Sequence, residues 1–589
     1  IPDEQWFEEN IGCENACPVN THAPAYIAAI MSGNFDKAFD INRGDNLFPA
    51  ILGRICVHPC EEKCRRGIRF DRPISICSLK RASTDFRVQP TKRQELDEIR
   101  SKTKRDQKVA IIGAGPSGLA AANDVARMGY HVTVYESLPV KGGMLTAGIP
   151  PYRLPRQVVE EAFEELKYLG VEIHTHTPIG QEIKLEDLKR DYNAVYIAAG
   201  AHKADRLEIQ GEDLKGVIHG VTFMRQVNLE EKDLKIGKRI AVIGGGNTAI
   251  DTARSSLRLG AEKVYIFYRR TRAEMPVDER ELEEAELEGV EVNYLTSPIE
   301  IFSHDGKSVS GIGCVRNRLG EPDDSGRRRP IPIEGSEFAV PVDVVIPAVS
   351  QSPDISFLPE EIGLEMSKWA RLVVDPDTFQ TNIPGIFAGG DFVTGPRDVI
   401  RVIADGRRAA VSIDLFLSDK KTARKKQAFF TPVEEIDIER NLERIPRHRM
   451  LTLPAGRRDS LHEEVDLGFS RGEAVEEAKR CFQCHIFTIF DRKKCILCGG
   501  CVDVCPRYCF RMVKLDEIEG DRHLEQLVEG CFGVSLERIR NERGVRLESG
   551  TAMIKDESMC IQCGLCARRC PTGAISMEMF HRGTTLYED

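Results

Sequence analysis

Between Lys80 and Lys479 the chain has a single cysteine, Cys314, although it carries nineteen in its 589 residues. Secreted disulfide scaffolds are short and cysteine-dense throughout. A chain whose sulfur sits at its two ends is not of that kind, and its cysteine clusters point to metal. No uninterrupted apolar run approaches the roughly eighteen residues that span a bilayer. The segment "IPDEQWFEEN" lacks the basic and apolar regions of a signal peptide, so the expected compartment is the cytoplasm. A net charge of −10 without a sustained basic block argues against nucleic acid as the partner. The length allows three or four domains, each with its own core.

The densest sulfur lies near the end. "CILCGGCVDVCP" sets Cys495, Cys498, Cys501 and Cys505 at C-x2-C-x2-C-x3-C-P, and "CIQCGLCARRCP" repeats that spacing with Cys560, Cys563, Cys566 and Cys570. Three closely spaced cysteines wrap one cubane while the fourth, before proline, reaches the other cluster. Two zinc knots fit the doubled spacing and the two prolines poorly. The stretch resembles bacterial two-cluster ferredoxins, interrupted by a long insertion that reads as a partner-docking element or a helical hairpin. Cys509 and Cys531 are left over as thiols rather than ligands.

The sulfur-poor middle is rich in glycine motifs. "KVAIIGAGPSGLAAANDVARMGYHVTVYE" reads as strand, glycine turn, helix and strand. Gly113 makes the tight turn, Gly115 lets backbone approach a pyrophosphate, Gly118 allows helix to pack on strand, and Glu136 ends the second strand where a ribose hydroxyl would sit. A second copy, "KRIAVIGGGNTAIDTARSSLRLGAEKVYIFYRR", has Gly244, Gly246 and Ala249 in the small positions, Asn247 beside them, and Arg269 and Arg270 where an acid would bind a free 2′-hydroxyl. Guanidinium groups there suit a 2′-phosphate, which favours NADPH over NADH, unless both are solvated surface charges. "TNIPGIFAGGDFVTG" then offers a short strand ending at Gly390 and Asp391.

Two such units with a return segment resemble the two-dinucleotide-binding-domain flavoproteins. That resemblance implies FAD in the first unit, with Gly143 of "KGGMLTAGIPPYRLP" and Asp391 among its contacts and a helix N-terminus aimed at the isoalloxazine. Thioredoxin-reductase-like relatives carry a redox Cys-x-x-Cys in the nicotinamide unit, where this chain has only Cys314. Dithiol chemistry is not expected, and no catalytic base is assigned because the cofactors supply the reactivity.

The remaining cysteines are Cys13, Cys17, Cys56, Cys60, Cys64 and Cys77, two short of two cubanes; Cys481 and Cys484 of "EAKRCFQC" bring the count to eight. The string "NACPVNTHAPAYIAAI…GRICVHPCEEKCRRG", continuing into "PISICSLKR" and the flavin fingerprint, resembles the small subunit of NADPH-dependent glutamate synthase. It is similar too to the large subunit of ferredoxin:NADP transhydrogenases and the N-terminal half of dihydropyrimidine dehydrogenase. The resemblance implies one cluster on Cys13, Cys17, Cys60 and Cys64, and another on Cys56, Cys481 and Cys484. Cys77 is taken as the fourth ligand there in preference to Lys80. A structural role for the Cys481 and Cys484 pair is the competing view.

The expected organisation is therefore a helical [4Fe–4S] domain over residues 1–95 and an FAD domain over 105–234 and 346–425, with an NAD(P)H domain, 235–345, inserted in it. Both dinucleotide units are α/β and Rossmann-like. An arm over 426–488 returns Cys481 and Cys484 to the N-terminal domain. An α+β ferredoxin-like domain over 489–589, with its insertion at 507–557, closes the chain. This predicts an oxidoreductase moving electrons between NADPH or NADH and a protein redox partner, through FAD and four [4Fe–4S] clusters. Alternatives are a subunit of a bifurcating complex, a sulfite-reductase-linked oxidoreductase, a glutamate synthase small subunit, and an electron-wiring scaffold with a vestigial nicotinamide site.

Overall fold

The structure is a computed structural model that describes residues 10–88, 105–230, 236–323, 326–368, 371–418, 426–433, 444–518, 522–541 and 550–584. Its N-terminal part is built from short helices. Helix α1, Ala23–Met31, has Pro24 in its first turn, where a missing N–H costs nothing. Helix α2, Phe35–Asn46, starts where the Asn34 side chain accepts the Lys37 N–H at 3.0 Å. Helices α3, Pro49–Ile55, and α4, Ile76–Asp85, follow. Tyr26, Ile30, Phe35 and Leu79 form the buried seam of this bundle.

The first glycine fingerprint lies between strands β1, Lys108–Ile112, and β2, His131–Tyr135, with helix α5, Pro116–Arg127, between them. Strands β3, Glu172–His174, and β4, Ala194–Ile197, extend the sheet. The second unit repeats the plan with β5, Arg239–Ile243; α6, Asn247–Arg258; β6, Lys263–Phe267; α7, Glu279–Leu287; β7, Glu291–Asn293; and β8, Val344–Pro347. Its strands run in the order β8-β5-β6-β7, all parallel. Strand β9, Ile386–Ala388, then returns to pair with β4, giving a parallel sheet of order β9-β4-β1-β2-β3, and α8, Val399–Ser418, packs on α5. Strands β1, β4, β5, β8 and β9 are buried over nearly their whole length because both faces of each sheet are covered, whereas β2, β3 and β7 carry exposed positions.

The two units meet at buried charge. Arg153, after the Tyr152 turn of the first unit, donates to both carboxylate oxygens of Asp251 on α6 at 2.8 Å and to Glu281 on α7 at 2.8 Å. Arg254 and Arg258 converge on Glu288, each at 2.7 Å. Arg458, from a later segment, pairs with Glu284 and lies 3.3 Å from Glu288, while the Val465 N–H bonds the Tyr152 carbonyl. One segment thus spans the junction of both units.

That segment continues into the N-terminal bundle. Helix α9, Arg471–Ala478, is closed by a capping box in which Ser470 and Glu473 exchange hydrogen bonds with each other's backbone N–H. Its Ala474 and Ala478 enter the same core as Tyr26 and Leu79. Glu477 and Arg480, both fully buried, pair at 2.8 Å. Glu477 accepts the N–H groups of Ser75 and His448, and Arg480 donates to the carbonyls of Arg72, Pro73 and Ile445 and to Asp71.

Strand pairing draws the last boundary differently from the sequence expectation. Lys426–Pro432 (β10) and Ile486–Phe490 (β11) both pair antiparallel with the closing strand, so the C-terminal module takes a strand from each end of the expected arm. Within the insertion, β12, Phe510–Lys514, and β13, Thr551–Lys555, pair as antiparallel strands, and helices Arg522–Phe532 and Leu536–Asn541 lie between them in sequence. The closing strand is β14, Ile575–Thr584. Among the described residues no helix is long and apolar enough to cross a membrane.

Removing one partner of a buried, hydrogen-bonded ion pair costs about 3–5 kcal/mol. Arg480→Ala should lower the first denaturant-induced transition by that order and expose the 444–482 segment to protease. An unchanged midpoint and cleavage pattern would show that apolar packing alone holds the segment.

Candidate cofactor sites

Beside the first fingerprint lies a cavity of about 370 Å³ lined by Gly113, Gly115, Glu136, Gly143 and Asp391. Gly113 has φ +106°, and a Cβ there would lie 2.4 Å from the Ala198 carbonyl oxygen. Gly115 faces open space, so a side chain would fill the cavity rather than strike protein. Gly118 is away from the wall: its Cβ would come within 2.0 Å of the Gly113 carbonyl oxygen, which is why helix and turn can close. Gly390, at φ +64°, packs on Ser117. The Glu136 carboxylate accepts the N–H groups of Ala114 (2.7 Å) and Leu138 (2.8 Å), and burial raises its pKa. Sequence reading missed His202, Arg225 and Arg397, which also line the cavity, His202 and Arg397 from loops and Arg225 from the helix Gly220–Asn228, none within a local motif.

Asp391 opens a short helix and accepts the Arg397 N–H at 2.9 Å; burial pushes its carboxyl up to about 7. Val399 and Val402, in the first turn of α8, share the cavity wall.

The second fingerprint repeats the logic with one change. Gly244 has φ +143°, and a Cβ on it would meet the Ala348 carbonyl oxygen at 2.3 Å; Gly246, before exposed Asn247, faces open space. At the third small position the backbone leaves room for the buried Ala249 methyl. The two arginines part company. Arg269 is exposed. Partial desolvation by the surrounding protein, and then the charges of Arg270 and Arg327, hold its pKa below the usual value. Arg270 is 3% exposed, donates to the Arg328 carbonyl at 2.7 Å and pairs with Asp323. Both arginines sit in a bend beyond the end of β6, where Arg270 is spent on the neighbouring hairpin, so of the two expected phosphate-binding arginines only Arg269 is left for that role.

The cysteines gather in four groups. One small hollow is ringed by Cys495, Cys498, Cys501 and Cys570, and a second by Cys505, Cys560, Cys563 and Cys566. Cys509 lines the second hollow as a fifth sulfur, its N–H 3.2 Å from Cys505 Sγ. A third hollow is ringed by Cys13, Cys64, Cys481 and Cys484. The fourth group is Cys17, Cys56 and Cys60, charge neighbours of one another and of the buried Lys80. Burial opposes the charged form of Lys80, yet Cys56, Cys17 and Cys60 hold its pKa above the usual value.

This grouping corrects the one implied by resemblance, which kept Cys13 with Cys17 and Cys60 with Cys64. Each of those pairs straddles a single helical turn, Gly12–Asn15 or Pro59–Glu62, and the turn carries its two sulfurs to different groups. The Cys77 Sγ lies 3.5 Å from the carbonyl oxygens of Leu52 and Gly53, and Lys80 is a charge neighbour of Cys77 as well as of the three cysteines of the fourth group.

In the chain without flavin, Asp391 binds its proton more tightly folded than unfolded. Its contribution to stability is therefore present near pH 4 and lost as pH rises toward 7. Asp391→Asn, neutral throughout, should gain on the wild type across that window, reaching about 2–4 kcal/mol by pH 8. Urea unfolding of flavin-stripped protein at three pH values measures this, and a pH-independent difference would refute it.

The pyridine nucleotide-disulphide oxidoreductase family matches residues 107–406, the 4Fe–4S cluster domain II of dihydropyrimidine dehydrogenase matches 8–92, and the 4Fe–4S dicluster domain matches 494–574. The chain is 42% identical over 503 residues to the NADP(+)-dependent formate dehydrogenase subunit beta of Moorella thermoacetica, covering 80% of this chain and 70% of that one. It is 38% identical over 513 residues to the NADPH-Fe(3+) oxidoreductase subunit beta of Geobacter sulfurreducens, covering 80% and 75%. Against the glutamate synthase [NADPH] small chain of Escherichia coli it is 35% identical over 416 residues, covering 68% and 87%. The chain belongs to the pyridine nucleotide-disulphide oxidoreductase family, as an NAD(P)H-dependent oxidoreductase whose parallel-sheet α/β core carries 4Fe–4S domains at both ends.

Proposed function

We propose that the chain moves electrons between NADPH and a second protein subunit, with FAD in the cavity beside Gly115 and [4Fe–4S] clusters on the four cysteine groups. Bound FAD supplies the step between hydride pairs and single electrons. The protein's part is placement. Open space at Gly115 and the N-terminus of α5 suit a pyrophosphate. Glu136 suits a ribose hydroxyl, and Asp391 suits the ribityl or phosphate. Gly244, Gly246, Asn247 and Ala249 offer the same cradle to the nicotinamide cofactor, and Arg269 supplies charge for a 2′-phosphate. Among the described residues no three cysteine, histidine or acidic side chains converge on a point that one metal ion would fill, whereas each of the three hollows is wide enough to be ringed by four sulfurs.

One observation carries this reading: the groups form an unbroken series through apolar contact. Cys17 and Cys56 pack in the core that holds Ile149 and Val399, which line the flavin cavity. Cys60 and Cys64 share the N-terminal core with Cys13 and Cys481. Cys484 and Cys563 share a small cluster under Phe482 and Ile561. Cys501, Cys505, Cys560 and Cys570 share the last. The relatives named as beta subunits align over more of the chain than the glutamate synthase small chain does, which favours a partner subunit of a larger redox complex. The intact cradle at Gly244 and Gly246 argues against a purely wiring role.

Anaerobically purified protein should contain about sixteen irons per FAD, at about four per cubane, and Cys481→Ala/Cys484→Ala about twelve. NADPH should still bleach the flavin of that variant while the Cys495 group stays oxidised. Wild type at about twelve irons or fewer, or a variant that loses none, would defeat the assignment.

Arg269→Ala should cost a charge-assisted hydrogen bond of about 1.5–3 kcal/mol, or about ten- to hundredfold in kcat/KM for NADPH, and leave NADH unchanged. Stopped-flow flavin reduction by both nucleotides measures it; equal losses for the two would remove Arg269 from the site.

A further inference from the structure

Arg65 follows Cys64 directly and lines the hollow ringed by Cys13, Cys64, Cys481 and Cys484. Its guanidinium leaves that hollow for the next one. Nη2 donates to the Cys560 carbonyl and to Gln562 Oε1 at 2.6 Å, and Nη1 donates to the Glu557 carbonyl at 3.2 Å. Gln562 is fully buried, and Cys560 is a sulfur of the second hollow. The remaining donor, Nε, is buried and has no hydrogen-bond partner. A buried donor left unpaired costs about 1–3 kcal/mol, and this one sits in the wall of a sulfur-ringed space.

We infer that Arg65 is the positioning residue that couples the two neighbouring clusters. It donates Nε–H to a sulfur of the cluster on Cys481 and Cys484, and holds its positive charge against the backbone of the cluster on Cys560. The inference rests on reading both hollows as cluster sites. Each cluster becomes more negative when it takes up an electron, so a fixed cation and a donated hydrogen bond favour its reduced form. Arg65 stays protonated throughout. Clusters bound on the two sulfur groups would exchange a single electron, with no bond made or broken and no proton moved. The flanking contact excludes water: the Phe70 ring meets Phe482 edge-on at 4.8 Å, and the Arg507 guanidinium lies 4.4 Å over Phe70.

The test is a redox titration followed by electron paramagnetic resonance on whole, anaerobically purified chain, comparing wild type, Arg65→Lys and Arg65→Met at measured iron content. Lysine keeps the charge but has no Nε–H. It should lower the potential of the Cys481/Cys484 cluster while the magnetic interaction between the neighbouring reduced clusters persists. Methionine should lower both potentials, by at least tenfold in the one-electron equilibrium or about 59 mV. A residue that merely bolts the two modules together would leave the lysine potentials at wild type, and that result overturns the inference. If methionine costs iron, the lysine variant decides alone. Wild-type protein with no cluster on Cys481 and Cys484 would fail the cluster reading itself, and the inference with it.

Discussion

The fully buried pair of Glu477 and Arg480 is the constraint from which the rest of the N-terminal half follows. Two opposite charges out of water are tolerable only when every donor and acceptor is satisfied. Here the partners come from three separate stretches: Asp71 to Ser75, Ile445 to His448, and helix α9 itself. The same pair that closes this core fixes the chain directly before Cys481 and Cys484. Sulfurs more than four hundred residues from Cys13 and Cys64 in sequence are thereby delivered to them.

A spacing rule unites both sulfur-rich ends. Wherever two cysteines are separated by two residues, at 481/484, 495/498/501 and 560/563/566, they ring the same hollow. At 13/17, 60/64, 501/505 and 566/570, where three residues intervene, the pair divides between groups, whereas Cys505 and Cys509, at the same gap, line one hollow. A two-residue gap lets backbone wrap one object, while a three-residue gap completes about one helical turn and carries the second sulfur onward. The Cys56–Cys60 pair, also three apart, stays within the fourth group because its backbone is extended at Cys56 and left-handed at His58.

The second dinucleotide unit is held to the rest of the chain by charge. Arg153 reaches from the first unit into Asp251 and Glu281, and Arg458 reaches from the arm to Glu284 and Glu288. The arm is thus bonded to the nicotinamide unit at one end and to the iron–sulfur bundle at the other. His58 adds a direct link, 2.9 Å from Asp278. Parts far apart in sequence are tied into one assembly in which the flavin cavity and the group of Cys17 and Cys56 share a single core.

The sequence by itself determined what is local. Glycine spacing dictated both cradles, because only a residue without Cβ fits against the Ala198 and Ala348 carbonyls, and the ferredoxin spacing dictated which sulfurs wrap together. The tertiary structure alone decided what depends on opposing surfaces. It divided Cys13 from Cys17, set Cys77 against carbonyls and Lys80 among cysteines, spent Arg270 on Asp323 and left Arg269 exposed, and set Cys509 and Arg65, which no motif had marked, against cysteine-ringed hollows. A motif records the backbone path within one turn or loop. Which face a side chain then presents, and to what, is fixed only when another segment packs against it.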